Sequence, residues 1–267
     1  MIRRPSPATV RYVLLLSMLV AWECIPRTGW IPELFLPALS TTLSVLRTDW
    51  LVYAQALLVT LTEVALAMLL ACGGGIVLGA VVGGLSTPRA LLLPVFSSLY
   101  AVPLVILYPV FTAWFGVGPE SKVAFAGLYA FFPVMLSTAA GIRTIDPQFL
   151  VAARSMGATL MQQVTRVIIP AALPTILNGL RLGGALAIIG VVVAEMLTAA
   201  AGIGYLVTLN RTILDSPRVF AALLMILVLS VAYDVLARYV ERRAMRWQNV
   251  ERQLSRTTQT TTVSSAA

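Results

Sequence analysis

Long apolar runs without the strict alternation of half-buried strands follow one another along the chain, and the short stretches between them hold most of its charge. Six runs lie near the ~20 residues that a helix needs to cross a hydrocarbon core. They cover residues 10–25, 63–85, 91–115, 123–142, 173–200 and 219–240. Peptide groups in hydrocarbon must be satisfied internally, so only helices and closed barrels cross a bilayer, and runs of this kind select helices. The pattern predicts an all-α membrane protein, a six-transmembrane-helix bundle. Residues 50–62 are also apolar and make the second run too long for one crossing, which predicts an entry helix on the membrane surface. Pro26, Pro32 and Pro37 interrupt residues 26–49, which suit the outer membrane surface.

Charge sets the orientation. Of the 19 Lys and Arg, Arg27, Arg47, Lys122, Arg211 and Arg218 fall on one side of these spans and the other 14 on the opposite side. The positive-inside rule places the richer side, with both termini, in the cytosol. The net charge of +8 is therefore a topology signal, and no nucleic-acid partner is expected. With 59% hydrophobic and 11% charged residues over 267 positions, and a mean hydropathy of +0.90, the chain's main solvent is the bilayer. A soluble domain carries about 25% charged residues.

A basic start before a short apolar core also fits a secretory signal. No small-x-small cleavage site follows, and residues 21–24 (Ala-Trp-Glu-Cys) are too bulky and charged for a lipoprotein cleavage box, so the first helix is read as uncleaved. Cys24 and Cys72 make no disulfide framework, and the sequence holds no His, so zinc and histidine chemistry are set aside and no metal site is expected. Residues 1–256 read as a single transmembrane domain, and the Ser/Thr-rich residues 257–267 as a disordered polar tail.

The longest cytosolic loop, residues 143–174, has helical punctuation. Asp146 before Pro147 is a helix start, because a carboxylate accepts from orphan amides and Pro is tolerated in the first turn. The helix should run to about Met156 and stop at Gly157 in a left-handed cap. Thr159 and Gln162 form a capping box for a second short helix, which Pro170 and Pro174 end or bend. Phe149, Ala153 and Met156 share one face, and Ala152 with Ala153 leaves room for a neighbouring backbone. Two readings follow from these residues alone: a surface that enters a groove of another protein, or a turn that packs on its own bundle.

The spacing Val151-Ala152-Ala153, Gly157, Val167-Ile168-Ile169-Pro170 resembles the signature loop of bacterial ABC importer permeases, Glu-Ala-Ala, three residues, Gly, nine residues, Ile-x-Leu-Pro. Val151 stands where that signature has Glu. The resemblance runs over residues 55–206 and narrows to the nitrate, sulfonate and taurine branch through several further elements. These are Val102-Pro103, Trp114-Phe115-Gly116-Val117-Gly118 with Ser121-Lys122, Phe131-Phe132-Pro133, Gly141-Ile142-Arg143, Ala152-Ala153-Arg154-Ser155-Met156-Gly157-Ala158, Leu173-Pro174, Gly179-Leu180-Arg181, Ala194-Glu195-Met196 and Gly202-Ile203-Gly204.

The resemblance implies the type I importer fold in the inner (plasma) membrane. It makes the loop residues Phe149, Val151, Ala152, Ala153, Arg154, Met156, Gly157, Ala158 and Pro170 the coupling surface for a separate ATPase. The implied partners are a second permease copy in a homodimer, two ABC ATPase subunits and a solute-binding protein. ATP and Mg would be bound by the ATPase and no cofactor by this chain, which is not itself an enzyme. The implied activity is ATP-driven alternating access for a small anionic solute such as an aliphatic sulfonate, taurine or nitrate, with thiamine-precursor pyrimidines and aromatic carboxylates as alternatives.

Gly75, Gly79 and Gly83 form a small-residue stripe that lets another helix approach closely, and Gly179 with Gly183 repeats the spacing. Ionisable residues within spans are expensive. Glu63, Arg181 and Asp234 are read as snorkelling or structurally paired, whereas Glu195, just before Gly202 and Gly204, is read as holding an outer gate. The rival class is an ion-coupled secondary transporter, for which the expected inverted repeat is not visible. A membrane enzyme is weaker still, since no nucleophile with a base or metal cluster appears.

Overall fold

The computed structural model describes residues 6–198 and 200–245; the polar tail expected at 257–267 lies outside them. Among the described residues, eleven α-helices account for nearly all regular structure. In chain order they are α1 (Pro7–Arg27), α2 (Leu39–Thr48), α3 (Trp50–Gly84), α4 (Ser86–Tyr100), α5 (Tyr108–Phe115), α6 (Pro119–Arg143), α7 (Pro147–Ser155), α8 (Leu160–Gln163), α9 (Ile169–Thr198), α10 (Ile203–Thr212) and α11 (Ser216–Ala244). Five helices are long and apolar enough to cross a membrane, and α4 with the segment 104–115 adds a bent sixth.

Three expectations are corrected by this architecture. The entry helix at residues 50–62 is the first third of α3, which runs unbroken for 35 residues. Nothing between Trp50 and Thr62 breaks a helix, since Pro and Gly are both absent there. At ~1.5 Å per residue, α3 is about 52 Å long and overreaches a ~30 Å core.

The third span is broken rather than straight: α4 ends at Tyr100, Leu104–Leu107 forms a 3-10 turn, and the two arms meet at 87°. Pro103 explains the break, because it lacks an amide proton and disfavours the helical conformation of Val102 before it. Lastly, of the two outcomes expected at Pro170 and Pro174, ending or bending the second loop helix, the structure overturns the first. A π-helical segment, Val164–Ile168, joins α8 to α9, so that one helical run spans 39 residues from Leu160 to Thr198. The carbonyl that Pro170 would meet in a regular helix belongs to Arg166, and that residue lies in the widened segment.

The core is built around α6, which α3 and α9 approach from two sides. On the α3 side, a Cβ on Gly75 would lie 2.9 Å from Val134 Cγ1, one on Gly79 would lie 2.5 Å from the Met135 carbonyl oxygen, and one on Gly83 would lie 2.8 Å from Ala139 Cα. On the α9 side, a Cβ on Gly183 would meet Val134 Cγ2 at 2.7 Å, and one on Gly190 would meet Ala126 Cα at 3.0 Å. Gly179 faces Ser137 and Pro133 in the same way. The inner seam continues through Val64, Ala67, Ala71, Ala126, Ala130, Ala187 and Val191. Lipid tails are as apolar as Leu, so these helices are held by close packing instead of expulsion from water.

α1 and α11 sit outside this trio and leave Leu14, Leu16, Leu227 and Val231 exposed, as lipid-facing surfaces do. At its cytosolic end α11 is tied to α9, where Arg181 pairs with Asp234 at 2.6 Å and Tyr233 donates to the Leu180 carbonyl at 2.9 Å. Asp234 also pairs with Arg238.

Because Gly79 faces backbone of α6 whereas nothing lies within 4 Å of a Cβ on Gly84, Gly79→Ala should destabilise the detergent-solubilised protein by about 1–3 kcal/mol. Gly84→Ala should be near neutral. Equal thermal-unfolding midpoints for the two variants would contradict this account of the seam.

Candidate functional site

Two groups of residues stand out, at opposite ends of α9. On the cytosolic side, Asp146 Oδ1 accepts from the Gln148 amide at 2.9 Å and starts α7. The chain then turns at Gly157, whose φ is +75°. The Thr159 hydroxyl accepts from the Gln162 amide at 3.3 Å, and the Gln162 side chain accepts from the Thr159 amide at 2.9 Å, which closes the capping box.

Gln163 is buried beneath this turn; it donates to the Ala158 carbonyl at 2.9 Å and accepts from Arg154 at 3.4 Å. The turn therefore has a fixed shape. On its surface Phe149, Val151, Met156, Leu160 and Met161 are all 60% or more exposed, on a side of the membrane where water, not lipid, is the solvent. Ala152 is exposed beside them, Ala153 and Ala158 are half-buried, and Pro170 is half-buried at the start of α9. Exposed apolar side chains grouped on a soluble face are a feature of protein contact surfaces.

At the outer end, Glu195 of α9 is 1% exposed. Its Oε1 accepts from the Thr60 hydroxyl of α3 at 2.8 Å, and its Oε2 accepts from the Gly204 amide at 2.8 Å. The Thr60 hydroxyl in turn accepts from the Ile203 amide at 3.0 Å. Two of the amides that open α10 are thus satisfied by side chains from α3 and α9. Gly202, at φ +104°, lets the chain double back here, and a Cβ on Gly202 or Gly204 would collide with the Glu195 side chain.

One turn along α3 from Thr60, Glu63 forms an ion pair with Lys122 of α6, with side chains only 3% and 6% exposed. Nearby, the Tyr108 and Thr198 hydroxyls are 2.6 Å apart and join α5 to the end of α9. The structure therefore brings Glu195, Gly202 and Gly204 together with Glu63. Arg181 and Asp234 belong to the separate inner network, and the glycine stripes form the seam between.

Residues 72–246 match the family of binding-protein-dependent transport system inner membrane components. The chain belongs to this family. The permease is 33% identical, over 92% of both chains, to the putative aliphatic sulfonates transport permease protein SsuC of Bacillus subtilis. It is 32% identical, over 86% of both chains, to the taurine transport system permease protein TauC of Escherichia coli. A solved structure of the MetNI methionine ABC transporter in an inward-facing conformation aligns with a TM-score of 0.64 at 17% identity, covering 74% of this chain and 98% of that one. This last likeness establishes the fold.

The protein is an inner-membrane, multi-pass permease subunit of an ABC importer and a transport component, not a catalytic one. An importer of this type works with an ATPase and a solute-binding protein.

Two residues of the outer cluster, Thr60 and Lys122, carry no role inside the bundle in the sequence reading, although Lys122 belongs to one of the branch elements. Thr60 lay in the stretch assigned to a surface helix, and its spacing of three from Glu63 becomes meaningful only once α3 is continuous. Lys122 was counted as an outside charge, although an isolated Lys between Ser121 and an apolar run, one turn after Pro119, is a signal for a charge drawn into the bundle.

Removing the Thr60 hydroxyl strands the Ile203 amide and one Glu195 oxygen in a buried site. Thr60→Val should therefore cost about 1–3 kcal/mol, seen as a lower melting midpoint. Thr62→Val, on the exposed face of the same helix, should melt as the unaltered protein does; a Thr60→Val midpoint that matched it would remove the hydroxyl from this network.

Proposed function

We propose that the permease translocates a small anionic solute of the aliphatic sulfonate, taurine or nitrate kind, handed over by a binding protein and driven by a separate ATPase. The single observation that carries the solute class is the similarity to SsuC over nearly the whole of both chains, and the similarity to TauC points the same way. The energy source is assigned to another polypeptide because the chain holds no G-x4-G-K-[ST] loop to cradle phosphates. Two copies of the permease with two ATPase subunits complete the pathway.

In this reading the exposed apolar knob of Phe149, Val151, Met156, Leu160 and Met161 is the part that seats in the ATPase. Its capped ends and the glycine at 157 give it a definite shape. Val151 offers no charge at its position, so shape and backbone contacts carry the docking. ATP draws the ATPase subunits together, the knobs follow, and the bundle opens outward; hydrolysis returns it inward. Glu195 serves as the outer gate, because its three-way connection of α3, α9 and α10 has to loosen for the outer side to open.

Reconstituted with its ATPase and binding protein, the permease should take up a labelled sulfonate only when ATP is supplied. Uptake by the permease alone along an ion gradient would instead make it a secondary transporter. Met156→Asp or Met161→Asp should lower co-purification of the ATPase by at least roughly tenfold, as loss of a central interface contact does, without shifting the melting midpoint. Val151→Glu should leave that co-purification within about twofold, the shape-based docking having no charge to match. Finally, Glu195→Gln should change solute-stimulated ATP hydrolysis; an unchanged value would exclude the gate role.

A further inference from the structure

A cavity of about 380 Å³ lies at the outer end of the bundle, lined by Val59 and Glu63 of α3, Val117, Lys122 of α6, Thr198 and Ala201 among others. Its size falls in the range of small-molecule sites, ~300–1,000 Å³. Its walls are largely apolar, and its charged lining is the buried Glu63–Lys122 pair.

This pair differs from its neighbour Glu195 in one respect. Glu195 is held on both oxygens by hydrogen bonds from fixed groups. Among the described residues, no backbone amide or hydroxyl donates to either Glu63 oxygen, and Lys122 is the cation that compensates its charge, with the Glu195 carboxyl close by. As a structural fastener such a pair is a poor choice, because stripping water from two ions costs several kcal/mol each and an apolar pair would pack as well. Its position on a cavity wall gives it another use. An ammonium has three donors, one carboxylate cannot occupy them all, and Lys122 borders the cavity.

We propose that this cavity is an anion subsite on the outer part of the pathway, where the oxyanion head of the solute replaces Glu63 as the partner of Lys122. The Thr198 hydroxyl supplies a second polar contact, and Val59, Val117 and Ala201 cover the apolar body. Glu63 makes the hold reversible: it competes for Lys122 and so returns the solute to the path, as a transit site requires. The inference rests on the anionic-solute reading above.

Opposite effects from the two members of one ion pair are the signature. A reporter thiol, Ala201→Cys, is placed in the cavity of the full ATPase complex in lipid nanodiscs, with the exposed Cys24 changed to Ser. Its rate of modification by a maleimide is followed against methanesulfonate, with neutral methanesulfonamide as control. Methanesulfonate should slow modification and methanesulfonamide should not. Glu63→Gln, which frees Lys122, should lower the half-protecting concentration roughly tenfold, and Lys122→Gln should raise it by a similar factor.

Shifts in the same direction, or none, would make the pair a fastener and overturn the proposal. Should either variant fail to assemble, the reporter with the pair intact still decides, since absence of protection, or equal protection by the neutral control, also overturns it. ATP-driven uptake of a sulfonate by the unaltered assembly separates the two claims: uptake without protection removes the subsite alone, and no uptake of any anion removes the functional reading as well.

Discussion

The close approach of α3 and α9 to α6 is the constraint on which the rest depends. Backbone touches backbone or Cβ along both seams because Gly75, Gly79 and Gly83 on one helix, and Gly179, Gly183 and Gly190 on the other, present no side chain. Close packing of this kind replaces the hydrophobic effect that lipid cannot supply. Val134, Thr138 and Ser137 of α6 seat in the notches left by Gly75, Gly79 and Gly179, so the seams interlock mostly through short side chains, which have little to clear when neighbouring helices shift. A bundle that alternates between two openings needs contacts of that sort.

The polar outer cluster is possible only because of these seams. α3 lies close enough to α9 for the Thr60 hydroxyl to reach Glu195, and close enough to α6 for Glu63 to reach Lys122. In a bundle spaced by large side chains these groups would face hydrocarbon singly, at a cost of several kcal/mol each. Charges otherwise foreign to the membrane are tolerated here since each finds a partner on a different helix. The outer end is accordingly held by the few specific contacts of Thr60 and Glu195, and the middle by many weak ones.

Much of this was legible in the sequence, and the remainder was not for physical reasons. The six apolar runs, the helix start at Asp146, the left-handed turn at Gly157 and the capping box at Thr159 and Gln162 are local signals, each fixed by a few neighbouring residues. The continuity of α3 across residues 50–62 was obscured because length alone argued for a separate helix, although no breaker is present. The 87° break at residues 101–103 rests on one proline inside an apolar run, and periodicity does not register it. Pro170 reads as a residue that ends or bends a helix, and the helical run continues past it beside a π segment. Pairings across helices, Glu63 with Lys122 and Thr60 with Glu195, join residues 59 and 135 positions apart, and no local pattern encodes which helix neighbours which.

The geometry of α9 connects the two ends of the molecule. The helical run from Leu160 to Thr198 begins inside the exposed cytosolic knob and ends one turn beyond Glu195. At ~1.5 Å per residue such a run is about 58 Å long, and a packed helix transmits displacement along its axis with little loss. The soft place is the π segment at Val164–Ile168, where the hydrogen-bond ladder is already widened. Movement of the knob is therefore divided between flexing there and shifting α9 as a rod against the glycine seam of α6. The capping box and the buried Gln163 stiffen the turn on the knob side of that segment, and the seam guides the helix on the other. On the proposed coupling, a pull on the cytosolic knob reaches the Glu195 contacts with Thr60 and Gly204 mainly as a displacement of the helix that carries Glu195.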